Sequence, residues 1–159
     1  RPAPAHRGIR RDVSQAQASC WWVPIRQQAL VEAQAIATAW LNQARVAPRL
    51  AQRILLALDE LVANLVEHAT PAGASALFEL RLVRDGDLII LVMIDEGAEF
   101  DPVTAAVPAP AASLADLAVG GRGLLLVRQL ARSATYRREG GRNRVTLEFT
   151  PAQSAPVPD

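Results

Sequence analysis

The run "LIILVMI" at 88–94 is apolar at every position, and it constrains the fold more than any other stretch. It is far shorter than the roughly 20 residues a membrane-spanning helix needs, and no longer apolar run exists in the chain. It has the size of a buried strand, apolar on both faces, and therefore belongs in the middle of a sheet. Before it stand "ALFELRLVR" (76–84) and the turn "DGD" (85–87), so the two strands form a β-hairpin. A second hairpin is expected from "SATYRRE" (133–139), "GGR" (140–142) and "NRVTLEFT" (143–150). "ASCWWVPI" (18–25) has strand composition, with Pro24 marking an edge or a strand end.

Between these strands the apolar period is helical. Residues 26–44 and 48–69 predict two helices, the second opening on Pro48 in its first turn and broken by "TPAGA" (70–74). "GLLLVRQLAR" (123–132) predicts a third, opened by a glycine-rich turn. Residues 103–119 are rich in alanine and proline and fit a mobile segment. Residues 1–15, with Arg1, Arg7, Arg10 and Arg11, are expected to be a disordered basic arm, and 151–159 a disordered tail. One domain remains over 16–150. It is an α/β (α+β) two-layer sandwich, with a mostly antiparallel or mixed sheet and helices on one face.

Composition removes many functions. The net charge of +1 argues against nucleic acid or an anionic membrane as the main partner. Cys20 is the single cysteine, which excludes an internal disulfide framework and suits a reducing, cytoplasmic setting; no secretory signal is visible. Met93 is the only methionine, so the chain as given has no initiator and is expected to be trimmed or part of a longer protein. All 17 basic residues are arginine. Without lysine there can be no lysine-dependent phosphate loop, no eukaryotic-type kinase strand lysine and no Schiff base. Two histidines and one cysteine leave no plausible zinc site, and no G-x-S-x-G elbow is present.

Three stretches carry chemistry. In "LALDELVANLVEHA" (56–69), Glu60, Asn64 and His68 recur every four residues. At 100° per residue they span about 80° of a helix, opposite an apolar stripe. That face either presents oxygen and nitrogen ligands or is simply solvated. In "IDEGAEFDP" (94–102), Asp95 at a strand end can accept a hydrogen bond from a ligand donor, and the bare backbone of Gly97 leaves room for a flat ring. An ordinary acidic turn would look the same. "GGRGLLLVRQL" (120–130) puts Gly120, Gly121 and Gly123 at a helix start, where free N–H groups favour an anion, or where a loop merely ends.

Their order is more specific than any one of them. E-x-x-x-N on a helix, D-x-G at a strand end, a loose segment and G-x-G before a helix resemble the GHKL superfamily of ATPases and kinases, over about residues 18–150. The match resembles most the stand-alone serine kinases that act as anti-sigma factors in bacterial partner switching, rather than gyrase.

The resemblance implies a Bergerat-type ATP-binding fold and a role for each matching residue. Glu60 would be the general base, and Asn64 would help hold Mg²⁺ against the phosphates. Asp95 would accept the exocyclic amine of adenine, with Gly97 beside the ring. Gly121 and Gly123 would give backbone donors to the phosphates, Arg122 would add charge, and 103–119 would be the lid. His68 would lie near the phosphate end without being catalytic, and Asp59 would be solvated. Two departures stand out: Glu99 replaces a second glycine of many relatives, and no serine or threonine occupies the position near Asn143 where many carry a threonine close to the adenine.

The function implied is a Mg·ATP-dependent serine/threonine-protein kinase. Its substrate would be a STAS-domain anti-anti-sigma protein, its other partner a sigma factor or similar regulator, and a homodimer is possible. Arg26 and the helix it opens are candidate partner contacts. The alternatives are a catalytically idle, nucleotide-gated binding module and the ATP-binding domain of a larger histidine kinase.

Overall fold

Leu88–Asp95 forms the central strand of a five-stranded sheet. The computed structural model describes residues 17–68, 76–104 and 119–151, with no side-chain description for 119–124. In chain order the elements are β1 (Gln17–Pro24), α1 (Ala29–Gln43), α2 (Pro48–His68), β2 (Leu77–Asp85), β3 (Leu88–Asp95), α3 (Val119–Leu130), β4 (Ser133–Glu139) and β5 (Arg142–Phe149). The sheet order is β1-β2-β3-β5-β4, and every neighbouring pair is antiparallel.

Turn chemistry sets the hairpin registers. Asp85 pairs with Leu88 across a two-residue loop in which Gly86 takes φ +62°. Glu139 pairs with Arg142 across Gly140 and Gly141, both at positive φ, the backbone that a right-twisted hairpin favours and that glycine adopts without strain.

The sheet face toward the helices carries Trp21 and Val23, Phe78, Leu80 and Leu82, Ile89, Leu91 and Met93, then Val145, Leu147 and Phe149. Against it pack Ala29, Ala33, Ala37, Trp40 and Leu41 of α1, and Leu50, Ile54, Ala57, Leu58, Leu61, Val62 and Leu65 of α2. The alanine row lets α1 approach the sheet closely. Helix α2 sits against both α1 and α3, and Val127 joins α3 to the same core. This is the two-layer arrangement expected.

The second face of β3 is also buried, although no described helix covers it. Val92 and Ile94 lie between register partners that include Arg81, Arg144 and Thr146, whose stems flank them while their polar ends reach water. Trp21 packs on the core, whereas Trp22 on the open face is 62% exposed.

Two expectations change. Helix α3 begins at Val119, not at Gly123, so the glycines lie in its first two turns rather than in a turn before it. Asp59 is not solvated: it is half-buried and accepts a hydrogen bond from Gln34 Nε2, which also donates to Leu55 O at 2.9 Å and ties α1 to α2. Arg26, the candidate partner contact, stands just before α1, paired with Glu32 and with its side chain 56% exposed. The expected arm, nearly all of the lid segment and most of the tail lie outside the described residues.

Candidate functional site

Where α2 crosses the end of β3, the two elements and the start of β5 leave a cleft of about 170 Å³. Helix α2 contributes Leu61, Asn64, Leu65 and His68, one face of its last two turns. The sheet contributes Met93 and Asp95 from β3 and Asn143 and Val145 from β5. Gly97, Ala98, Glu99, Phe100 and Pro102, from the loop leaving β3, form the rim. Apolar walls with a few convergent polar groups suit a flat organic ligand.

Asp95 is 7% exposed. Its Oδ1 accepts two hydrogen bonds, from the Gly97 backbone N–H at 2.8 Å and from Asn143 Nδ2 at 2.9 Å. Among the described residues nothing donates to Oδ2. Oδ2 is not enclosed by protein and opens onto the cleft, where a ligand donor or water can meet it. Gly97 keeps the loop tight against this carboxylate, since a Cβ there would come within 2.9 Å of Asp95 Oδ1. The Asn64 carboxamide, half-buried in the cleft wall, also makes no hydrogen bond among the described residues. At the mouth, His68 stacks on Phe100 with ring centroids 5.2 Å apart.

Of the residues singled out in the sequence, Asn64, His68, Asp95, Gly97 and Glu99 thus meet in one cleft. Glu60 stands one turn before Asn64, half-buried, but is not among the residues lining the cleft. Gly121, Arg122 and Gly123 lie in the first two turns of α3; Gly121 is among the first four residues, whose N–H groups have no intrahelical partner, and Gly123 is one place beyond them. Asn143 was marked in the sequence only as a departure from a family pattern. Its signal was in β5: a polar residue in line with inward-facing Val145, Leu147 and Phe149.

A family model described as the histidine kinase-like ATPase domain matches residues 23–149. The chain belongs to this family. Its similarity extends to the serine/threonine-protein kinase BtrW of Bordetella bronchiseptica, 37% identical over 103 residues, which are 65% of this chain and 72% of that protein. In fold, this histidine kinase-like ATPase domain is similar to the RsbU and RsbW domains of Rv1364c from Mycobacterium tuberculosis, with a TM-score of 0.58 and 20% identity, over 84% of this chain and 32% of that one. It is also similar to a chain of the SiaB–SiaC complex from Pseudomonas aeruginosa, with a TM-score of 0.60 and 16% identity, over 82% of this chain and 88% of that one. The five-stranded antiparallel sheet with its helices is the fold these neighbours share. Among the described residues no helix is long and apolar enough to cross a membrane.

Proposed function

We propose that this domain is a Mg·ATP-dependent serine/threonine-protein kinase of a partner switch. It phosphorylates a STAS-domain anti-anti-sigma protein and, in its other role, holds a sigma factor or similar regulator. The observation that carries this reading is Asp95, a buried carboxylate with one oxygen saturated by the protein and the other left for a donor in an apolar cleft. The exocyclic amine of adenine is such a donor. Kinship with a protein named as a serine/threonine kinase supports the reaction, and likeness to a chain of a two-protein complex is in keeping with a protein partner.

The donor set suits Mg²⁺. Among the described residues no three of His, Cys, Asp and Glu cluster into a metal cage, and Asn64 offers one unpartnered carboxamide oxygen beside the cleft. Mg²⁺ needs few protein ligands when phosphate oxygens and water complete its shell, and it would neutralise charge on the transferred group. Gly121 and Arg122 at the start of α3 hold the phosphates in this reading, with Gly123 allowing close approach. Glu60, one turn from Asn64, takes the proton of the substrate hydroxyl. Residues 103–119 act as the lid, and the domain works in the cytoplasm, as a dimer if it follows its branch.

The test is transfer of the labelled γ-phosphate of ATP to serine or threonine of a STAS-domain protein. Glu60→Gln should keep ATP binding and lower transfer by about 10²-fold or more. Transfer at the wild-type rate would remove Glu60 from its role. A second reading, a nucleotide-gated module without turnover, is favoured by the absence of Glu60 from the cleft lining. It predicts ADP-sensitive partner binding and no transfer by the wild-type chain.

A further inference from the structure

Asn143 is 4% exposed, and both ends of its carboxamide are committed. Its Oδ1 accepts from the Tyr136 hydroxyl at 2.8 Å and from Arg138 Nη1 at 2.7 Å. Its Nδ2 donates to Asp95 Oδ1 and to Ala98 O, both at 2.9 Å. Only this orientation works. A flipped amide would set its NH₂ against the Arg138 guanidinium, an obligate donor, and its oxygen against a carboxylate and a carbonyl, while the Tyr136 hydroxyl could adapt to either. Arg138 on β4, with the neighbouring Tyr136 hydroxyl as a second donor, therefore dictates that Asn143 presents a donor to Asp95.

The consequence lies on Asp95. The two oxygens of an ionised aspartate are equivalent acceptors, but the carboxylate torsion is broad, so without partners the angle at which an oxygen meets the cleft would vary. Here Asn143 and the Gly97 N–H both bind Oδ1 and pin one rotamer, with Oδ2 left as a pure acceptor. Arg138 also donates to Gly97 O at 3.1 Å, so the loop that supplies the second donor is fixed from the same strand.

We propose that Asn143 is the positioning residue of base selection: it locks Asp95 so that the cleft accepts a purine bearing a 6-amino group and rejects one bearing a 6-oxo group. This rests on the nucleotide reading above. A 6-oxo group would face Oδ2 with a lone pair and leave both acceptors without a proton, the kind of mismatch that carries strong discrimination. Asn143 needs no contact with the base, because it acts through Asp95.

The experiment is calorimetric titration of ADP, IDP and purine riboside 5′-diphosphate, which lacks any 6-substituent, against the wild-type chain, Asn143→Ala and Asn143→Asp. The wild-type chain should bind ADP at least about tenfold tighter than either analogue, the scale of one hydrogen bond to a charged group. Asn143→Ala should weaken ADP about tenfold and purine riboside 5′-diphosphate less than about twofold, collapsing the selectivity. Asn143→Asp keeps the oxygen that Tyr136 and Arg138 need but turns a second carboxylate on Asp95; the same collapse is expected, and it covers the case in which the alanine variant fails to fold. In an Asp95→Asn background, Asn143→Ala should add nothing to the loss of ADP binding, as for two residues acting through one contact. Equal weakening of all three ligands, with wild-type binding intact, would reduce Asn143 to a loop support and overturn the proposal. Failure of the wild-type chain to bind ADP at all would overturn the nucleotide reading and the proposal with it.

Discussion

Glu79 is only 4% exposed although it stands on the sheet face that no described helix covers. It accepts hydrogen bonds from Arg81 and from Cys20 Sγ at 2.9 Å, and Arg142 lies 3.6 Å from its other oxygen. The Arg81 hydrogen bond holds its carboxyl below the usual carboxylate range, against the opposing effect of burial. Because the folded value is the lower one, the stability Glu79 contributes is complete above the ordinary carboxylate range and is lost as pH falls through the folded value. Acid unfolding of Glu79→Gln should accordingly show a shallower dependence of stability on pH below about 4.5 than the wild-type chain does; an unchanged slope would contradict this. Cys20 shows the reverse shift, its thiol pushed up by burial and then by the Glu79 carboxylate. Glu79→Gln should therefore alkylate faster at Cys20 at neutral pH, which iodoacetamide kinetics would read. The contact between Cys20 and Glu79 was not visible in the sequence, because the two stand 59 positions apart. Asp59 escaped for the same reason: helical angle placed it off the ligand stripe correctly, but only tertiary packing brings Gln34 to it.

Helix ends carry the next level of control. Helix α1 closes with Val46 N–H on Leu41 O and Arg45 N–H on Asn42 O, the paired bonds of a Schellman cap. The left-handed residue of that cap is Arg45, at φ +52°, where glycine is usual. Arg45→Gly should raise stability by up to about 1 kcal/mol, seen as a higher urea midpoint at unchanged slope. At the far end of α3, Arg53 donates to Leu130 O at 2.6 Å and to Thr150 O at 3.0 Å, so α2 caps α3 and fastens the end of β5. Arg53→Ala should cost about 1–3 kcal/mol by taking a charged donor from two half-buried carbonyls; a change under about 0.5 kcal/mol would contradict the assignment. Periodicity made the elements legible: α2 ends within one residue of expectation, and both hairpins are found at their turns. The start of α3 was not, since glycine propensity argues for a loop and the structure carries the helix through Gly120, Gly121 and Gly123 regardless.

At the scale of the molecule, the site is assembled from α2, β3 and β5, whose contributing residues Asn64, Asp95 and Asn143 are far apart in the chain. The apolar run 88–94 marked β3 as the middle strand because both its faces had to be buried, and it is third of five. What one sequence could not give was the β3–β5 pairing that sets Asp95 opposite Asn143, since the two are 48 positions apart with α3 and β4 between them. Motif order supplied Asn64, Asp95 and Gly97 through a resemblance; the device that orients Asp95 had no motif. Gly97→Ala tests how far the two are joined. It should cost about 1–3 kcal/mol of stability without ligand and also weaken nucleotide binding about tenfold or more, because the added Cβ displaces the Asp95 carboxylate from its two hydrogen bonds.

The most direct measurement is thermal unfolding of the wild-type chain and Asp95→Asn with Mg·ATP, ADP and GTP. Ligand at about 100 times its Kd stabilises by roughly 2.7 kcal/mol, which in a domain of this size raises Tm by several degrees. The account predicts that rise with both adenine nucleotides, its absence with GTP, and its loss in Asp95→Asn. An equal rise with GTP, or a full rise in Asp95→Asn, would contradict it.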